Sequence, residues 1–302
     1  MEQSQTTQPS AAHVVTGHTN PAVHLARATL SQLGDHVVVP GYDPETVKEG
    51  IVHFGPGNFM KAHLASYINQ VLENDPHWGI VVVSRTAGSV SGLRKQDGLY
   101  ALVEREGANR TVSVLAPIVR AIASQDDPAD VINTIANPNT RMVTMTISNK
   151  GYYLVNTDNL DVENADVAHD LSGSDSPKTI YGFLAAALVK RRAESGKPIV
   201  IMSLDNVEQN GKTLKKAFLQ FIERTHPDLL AWITDHVDFP VTLVDRITPE
   251  SDDEFRTEAR QLLGFESNVV VGTERFRQLV GALPLRHSGL GTVRSADGRR
   301  LR

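Results

Sequence analysis

The chain has 302 residues, of which 40% are hydrophobic and 22% charged, a composition typical of a globular protein with one large or two modest domains. The formal net charge of -5 argues against nucleic acid as the main partner, and no apolar run approaches the ~20 residues of a membrane-spanning helix. The absence of cysteine excludes disulfides, thiolate metal sites and a cysteine nucleophile, and with the lack of a signal peptide it predicts a cytoplasmic protein.

The start of the chain carries little structural signal. Its first 20 residues are rich in Gln, Ser, Thr and His and show no apolar period, so we expect a disordered tail at 1–20. From residue 21 apolar residues recur at helical spacing, which predicts a short helix that ends at Gly34.

Residues 50–85 contain the strongest local pattern. Apolar runs at 51–54 and 80–83 predict two strands, and apolar positions at helical spacing between 60 and 72 predict a helix that connects them. Strand, tight turn, helix and strand form a βαβ unit, which binds dinucleotides in many enzymes. His53 lies in the first run, where a satisfied core histidine is more usual than a ligand.

The turn after the first strand contains Gly55 and Gly57. Glycines let the backbone approach a pyrophosphate, and the free N–H groups of the following helix carry partial positive charge. The third glycine of the common G-x-G-x-x-G pattern is Met60 here, so an ordinary strand-to-helix turn is the alternative interpretation. At the end of the second strand, Arg85 with Ser84 favours the 2′-phosphate of NADP over the ribose hydroxyl of NAD, unless Arg85 is an ordinary exposed arginine.

The rest of the chain alternates strands and helices after an irregular stretch at 86–98. Strands are predicted at 100–104, 111–115, 141–147, 199–202, 241–244 and 268–271, and helices at 128–135, 179–194, 211–223 and 250–263. Lys150 and the pair Asp205-Asn206 follow two of the buried strands. Because ligands bind beside the carboxyl ends of strands in an open α/β sheet, we expect these side chains near the ligand.

The glycine turn and its helix resemble the G-x-G-x-F-H-R-A-H signature of the polyol-specific long-chain dehydrogenases, with the residues Gly55-Pro56-Gly57-Asn58-Phe59-Met60-Lys61-Ala62-His63. That is the mannitol dehydrogenase family, which includes fructuronate and tagaturonate reductases. Met60 and Lys61 depart from the His-Arg of the signature. Four further matches follow in family order: Gln96-Asp97-Gly98-Leu99-Tyr100, Lys150-Gly151-Tyr152, Ser203-Leu204-Asp205-Asn206 and Val244-Asp245-Arg246-Ile247-Thr248-Pro249.

The resemblance implies a doubly wound, mostly parallel α/β sheet of Rossmann type over residues 21–280, in a metal-independent enzyme that uses NAD or NADP. Taken with the glycine turn, it indicates seven cofactor-binding residues: Gly55, Gly57, Asn58, Phe59, Ser84, Arg85 and Lys150. Lys150 either contacts cofactor phosphate or ribose or is a solvated lysine.

Asn206 and Asp205 are the candidate catalytic residues. The resemblance implies that the Asn206 amide contributes to the oxyanion hole, and the alternative is a loop asparagine that bonds its own backbone. Asp205 either positions Asn206 or caps the next helix. Asp245 and Arg246, at the end of a later strand, are expected to form an ion pair or to contact substrate.

The end of the chain differs from the resembled family. From Gly281 the sequence has no helical or strand period, so we expect an irregular tail at 281–302. Family members continue here into a mostly helical substrate domain, whose K-x-x-x-x-N-x-x-H motif supplies a lysine base. The last lysine of this chain is Lys216, and no such motif follows it. We therefore expect the helical domain and its base to be absent.

Two functions remain as hypotheses. The first is an NAD(P)-dependent oxidoreductase of mannitol 2-dehydrogenase or fructuronate reductase type, truncated, which interconverts a secondary alcohol of a polyol or sugar acid and the matching ketose or keto-acid. The second is a non-catalytic nicotinamide-dinucleotide-binding remnant, or half of a split enzyme completed by a second chain. Because a positioned base supplies roughly 10²–10⁴-fold in rate, we expect this chain to bind cofactor without useful polyol turnover.

Overall fold

The computed structural model describes residues 23–156 and 159–282, so the expected tail at 1–20 and residues 283–302 of the second tail lie outside the described residues. The strands are β1 (Glu49–Phe54), β2 (Gly79–Ser84), β3 (Tyr100–Glu106), β4 (Asn109–Leu115), β5 (Ile118–Ala123), β6 (Met142–Met145), β7 (Leu154–Val155), β8 (Asn159–Leu160), β9 (Ile199–Ser203), β10 (Val237–Asp238), β11 (Val241–Asp245), β12 (Val270–Glu274) and β13 (Gln278–Ala282). The helices are α1 (Asn58–Ala62), α2 (Leu64–Val71), α3 (Ala87–Arg94), α4 (Pro128–Ala136), α5 (Ala165–Leu171), α6 (Ile180–Glu194), α7 (Asn210–Thr225), α8 (Leu230–His236) and α9 (Asp253–Leu263).

Six parallel strands form the central sheet, in the order β10-β9-β6-β1-β2-β5. Numbered by their position in the chain within this sheet, they run 3-2-1-4-5-6 from the β5 edge, which is the Rossmann order. The strand order reverses between β1 and β6. The predicted doubly wound α/β class is therefore confirmed, and the reversal point is where such sheets bind dinucleotides.

Two hydrophobic cores cover the two faces of the sheet because successive strand residues point to opposite sides. Val52 of β1 lies in one core with residues of α6 and α7, whereas Ile51 lies in the other with residues of α1 and α2. Within residues 23–156 and 159–282, no helix is long and apolar enough to cross a membrane.

The sequence pattern missed two elements that follow the βαβ unit, the helix α3 and the sheet strand β5. The stretch expected to be irregular at 86–98 contains α3, whose Gly92 packs so closely that an added Cβ would lie 2.9 Å from the Val269 side chain. The edge strand β5 carries Arg120 in the middle of its apolar run, and that guanidinium bonds the carboxylates of Glu49 and Asp130. Small and charged residues hid both elements because they interrupt the apolar period.

Two predicted strands lie outside the central sheet. β12 pairs with β3 in a three-stranded sheet with β4, and β11 pairs with β13 in an antiparallel ribbon. β13 was not predicted, and it includes Gly281 and Ala282, so the irregular tail expected from residue 281 is wrong for those two residues.

Arg246, which directly follows β11, is a buried side chain with several hydrogen-bond partners. Its guanidinium bonds the carboxylate of Glu104, the carbonyl oxygen of Ala62 and the carbonyl oxygen of Glu274. The expected ion pair with Asp245 is therefore wrong, and Arg246 joins β3 to the end of α1 instead. Burial lowers the pKa of Arg246, which Glu104 partly offsets.

Candidate functional site

The glycine turn leaves β1 at the reversal point of the sheet. Gly55 adopts a φ of +87°, and a Cβ at this position would lie 2.2 Å from the carbonyl oxygen of Thr146, in the segment that follows β6. The Gly55 N–H donates to the carbonyl of Val83 in β2 at 3.0 Å. Only glycine fits here, because an L side chain would clash with the backbone of the neighbouring segment and strain its own.

Gly57, in contrast to Gly55, has room for a side chain. A Cβ there would have only the Gly55 carbonyl oxygen within 4.0 Å, and its backbone is extended, at φ -71° and ψ 179°. Gly57 precedes α1, which no side chain caps. Asn58 donates to the carbonyl of Pro249 at 3.4 Å, and Phe59 stacks on His63 at 4.8 Å. The turn thus leaves an open space over Gly57 in which a ligand can approach the backbone.

His53 lies directly beneath the turn and is fully buried. Its Nδ1 is 2.7 Å from the Thr144 hydroxyl, and its Nε2 is 3.2 Å from the Gly55 carbonyl oxygen and 3.1 Å from the Thr146 hydroxyl. Burial lowers the pKa of His53 to about 3, so the imidazole is neutral at physiological pH. The expected satisfied core histidine is confirmed, and its partners connect β1 with β6.

Asp205, two residues after the end of β9, holds the loop that follows β6. Its carboxylate accepts from the N–H of Ile147 at 3.0 Å, the N–H of Ser148 at 3.0 Å and the hydroxyl of Tyr152 at 2.9 Å. The next helix, α7, has Gln209 at its N-cap with no side-chain cap, so the capping role expected as one alternative for Asp205 is wrong. All three donors belong to the segment after β6, and none of them belongs to Asn206.

The loop held by Asp205 includes a strained residue. Ser148 has φ 60° and ψ 168°, a conformation that costs a non-glycine residue on the order of 1–3 kcal/mol. Backbone strain of this kind persists only where the surroundings over-determine it, and it is concentrated at functional sites. Lys150, two residues later, is exposed and lines an open depression together with Tyr153 and Asn164.

Asn206 and Lys150 lie at the same edge of the sheet as the glycine turn, because they follow β9 and β6, two parallel strands on the same side of β1. Asn206 is exposed, and its amide makes no hydrogen bond to the described residues. Among those residues, no group of three or more histidine, aspartate and glutamate side chains is placed to hold a metal ion.

Ser84 is the last residue of β2, on the other side of the turn, and Arg85 follows it. The Arg85 guanidinium is 61% exposed and lies 3.9 Å from the carboxylate of Asp166 in α5. Asp166 also accepts from the hydroxyl of Tyr153 at 3.5 Å. Burial, with a contribution from Asp166, raises the pKa of Tyr153. The structure therefore places Arg85 at the carboxyl edge of the central sheet. There the carboxylate of Asp166 is close enough to compete with a ligand phosphate for the guanidinium.

Sequence reasoning did not identify the residues that hold the glycine turn and the loop after β6 in place. Thr146, Tyr152 and His53 were assigned no role in shaping the turn or the loop. Their signal was a polar side chain within or some residues after an apolar strand, which by itself does not say which neighbouring strand it will contact.

Comparison with known proteins gives the family. The model of the mannitol dehydrogenase Rossmann domain matches residues 49–282. Mannitol 2-dehydrogenase of Phaeosphaeria nodorum is 38% identical over 262 residues, which cover 85% of this chain and 46% of the relative. Polyol:NADP oxidoreductase of Gluconobacter oxydans is 36% identical over 283 residues, which cover 89% of this chain and 58% of the relative.

A solved structure shows the same architecture. The ternary complex of Pseudomonas fluorescens mannitol 2-dehydrogenase with NAD and D-mannitol has a TM-score of 0.82 and 32% identity, covering 85% of this chain and 54% of that one. The chain spans about half the length of the curated relatives it matches. From its glycine turn, its strand order and these matches, the chain belongs to the mannitol dehydrogenase family through that family's Rossmann domain.

Proposed function

We propose that this chain binds NAD or NADP across the turn at Gly55 and Gly57, as part of an oxidoreductase that acts on a polyol or a sugar acid. The observation that carries the proposal is the open space over Gly57, at the point where the strand order reverses. A dinucleotide needs a backbone without side chains at this place, and Gly57 provides it. The residues present therefore fit the cofactor.

The remaining contacts follow from the positions of the exposed side chains. Asn58 and Phe59 shape the start of α1 beside the pyrophosphate, and Lys150 reaches cofactor phosphate or ribose from the loop after β6. Bound nicotinamide supplies the hydride acceptor for alcohol oxidation. The Asn206 amide donates to the alcohol oxygen, where negative charge develops as the proton leaves. Asp205 acts indirectly, by holding the loop that carries Lys150.

Arg85 and Ser84 favour NADP. A guanidinium at the end of β2 suits a 2′-phosphate, and Arg85 is exposed enough to turn away from Asp166. One matched relative is named for NADP and one solved neighbour holds NAD, so both cofactors occur among similar proteins.

The substrate class is a secondary alcohol of a polyol or hexuronate, with the matching ketose or keto-acid. The matched relatives carry dehydrogenase and oxidoreductase names, which supports this function over a non-catalytic cofactor-binding remnant. A cytoplasmic location stays a prediction.

The experiment is a calorimetric and fluorescence titration of the purified chain with NADH and NADPH. The matched variants are Gly57→Val and Gly41→Val, because both glycines are free of close backbone neighbours and only the first lies at the turn. Gly57→Val should abolish dinucleotide binding without lowering the melting temperature, whereas Gly41→Val should bind like the wild type. Absence of binding by the wild type to either dinucleotide at millimolar concentration would disprove the proposal.

A further inference from the structure

Three donors converge on the carbonyl oxygen of Gly55. The Gly57 N–H lies at 2.7 Å, the Thr146 hydroxyl at 2.7 Å and the His53 Nε2 at 3.2 Å. A backbone carbonyl has two lone pairs, so the oxygen of this turn is held by more donors than a carbonyl ordinarily accepts.

The direction of each hydrogen bond follows from the carbonyl. Because the Gly55 oxygen only accepts, the Thr146 hydroxyl donates to it and the His53 Nε2 must carry the ring proton. The His53 Nδ1 then accepts from the Thr144 hydroxyl at 2.7 Å. The opposite tautomer would place a lone pair of Nε2 against the lone pairs of the Gly55 oxygen. One neutral tautomer therefore satisfies both imidazole nitrogens and both hydroxyls.

We propose that His53 and Thr146 are positioning residues for dinucleotide binding, which hold the glycine turn in its ligand-ready conformation through the Gly55 carbonyl. The inference rests on the proposed function and assigns these two side chains a role in it. His53 bonds the turn from within the sheet, where it is fully buried, and Thr146 bonds it from the segment after β6, while a Cβ on Gly57 would have only the Gly55 oxygen within 4.0 Å. The ligand is the pyrophosphate of a nicotinamide dinucleotide.

The physical reason is preorganisation. Gly55 has access to both left- and right-handed conformations, so a turn held only by its N–H bond to Val83 and by the local Gly57 N–H bond would sample several backbone geometries. A second fixed point at the carbonyl removes this freedom before the ligand arrives. A ligand binds more tightly when its binding loop is already ordered in the free protein, because binding then carries a smaller entropic cost. A satisfied buried network also specifies one conformation more strongly than apolar side chains do.

The test compares isosteric substitutions on the β6 segment. Thr146→Val removes the hydroxyl that bonds the Gly55 carbonyl and keeps the shape of the side chain, and Thr146→Ser keeps the hydroxyl. Thr140→Val is the matched control, because the buried Thr140 hydroxyl also donates to a backbone carbonyl, that of Thr134, at 2.6 Å. Thr140 precedes β6 at the amino end of the sheet, away from the turn.

We expect Thr146→Val to raise the dissociation constant for NADH and NADPH about tenfold, which corresponds to ~1.4 kcal/mol. Thr146→Ser should restore the wild-type value, and Thr140→Val should lower the melting temperature without changing either dissociation constant. Thr146→Ala makes the same prediction as Thr146→Val and replaces it if the valine variant does not fold.

The possible results distinguish a failure of the positioning role from a failure of the proposed function. If the wild type binds and Thr146→Val or Thr146→Ala binds equally well, the positioning role is wrong and the proposed function stands. Weakening of equal size in the Thr140 control would also overturn the positioning role, because it would show a general loss of stability. A wild type that binds neither dinucleotide would remove the proposed function, and the inference with it.

Discussion

Lowering the pH should lower the free energy of unfolding of this protein, because the buried imidazole of His53 is harder to protonate in the folded chain than in the unfolded chain. The pKa of His53 is lowered to about 3 in the folded chain, against about 6.5 for an exposed histidine. Between these two values the unfolded chain binds a proton that the folded chain does not, so stability is complete above pH 6.5 and falls as the pH decreases toward 3. From pH 7 to pH 5 the loss from this single group is about 2 kcal/mol.

The assay is urea unfolding, followed by the fluorescence of Trp78 and Trp232, at several pH values between 7 and 5. The comparison is His53→Gln, whose amide nitrogen can still donate toward Gly55 but cannot titrate. We expect the wild type to lose about 2 kcal/mol more than the variant over this range, and His63, whose pKa burial also lowers, contributes equally to both proteins. Parallel pH dependences of the two proteins would refute the reasoning, because they would mean that His53 takes up its proton without unfolding.

Two further predictions concern arginines. Arg85→Asp should move the ratio of the NADPH and NADH dissociation constants toward NADH by at least tenfold, because a charge-assisted hydrogen bond of ~1.5–3 kcal/mol to the 2′-phosphate is lost; an unchanged ratio would show that Arg85 points elsewhere. Arg191 is 1% exposed and donates to five backbone carbonyls, those of Lys197, Ile135, Asn137, Thr140 and Pro198. Since lysine has only three donors, Arg191→Lys should lose ~2 kcal/mol of unfolding free energy and Arg191→Met more, and equal stabilities in urea would contradict this account.

The sequence predicts best the parts of the fold that rest on local signals. The βαβ unit at 50–85 is found from apolar period and glycine position, because neighbouring residues determine both. α3 was missed because Gly88 and Gly92 read as an irregular stretch, although Gly92 is small so that the helix can approach Val269. The pairing of β11 with β13 has no local signal, since the two strands meet across more than 30 residues of chain.

The same division holds within the candidate site. The glycines, Arg85 and Asn206 are visible in the sequence because their chemistry and their position after a strand agree. The contacts of Asp205 are not visible, because its partners Ile147 and Ser148 lie on another strand's loop, 58 and 57 residues earlier in the chain. The sequence indicates that a carboxylate matters there, and only the fold shows that it bonds backbone N–H groups.

This arrangement makes Asp205→Asn an informative change. An amide has one acceptor oxygen, so in either orientation its NH₂ group faces the N–H of Ile147 or of Ser148 and leaves that donor unpaired, at a cost of about 1–3 kcal/mol. The strained Ser148 backbone then loses part of its restraint, and the loop that carries Lys150 becomes mobile.

We therefore expect Asp205→Asn to lower the melting temperature and to weaken NADH and NADPH binding severalfold. Tyr152→Phe is the control, because it removes one donor to the same carboxylate and leaves both N–H bonds intact, so it should cost about 1 kcal/mol and leave binding unchanged. Equal effects of the two variants on both melting temperature and affinity would contradict this role of the carboxylate, since they would show that the backbone N–H bonds of Ile147 and Ser148 do not set the position of the loop.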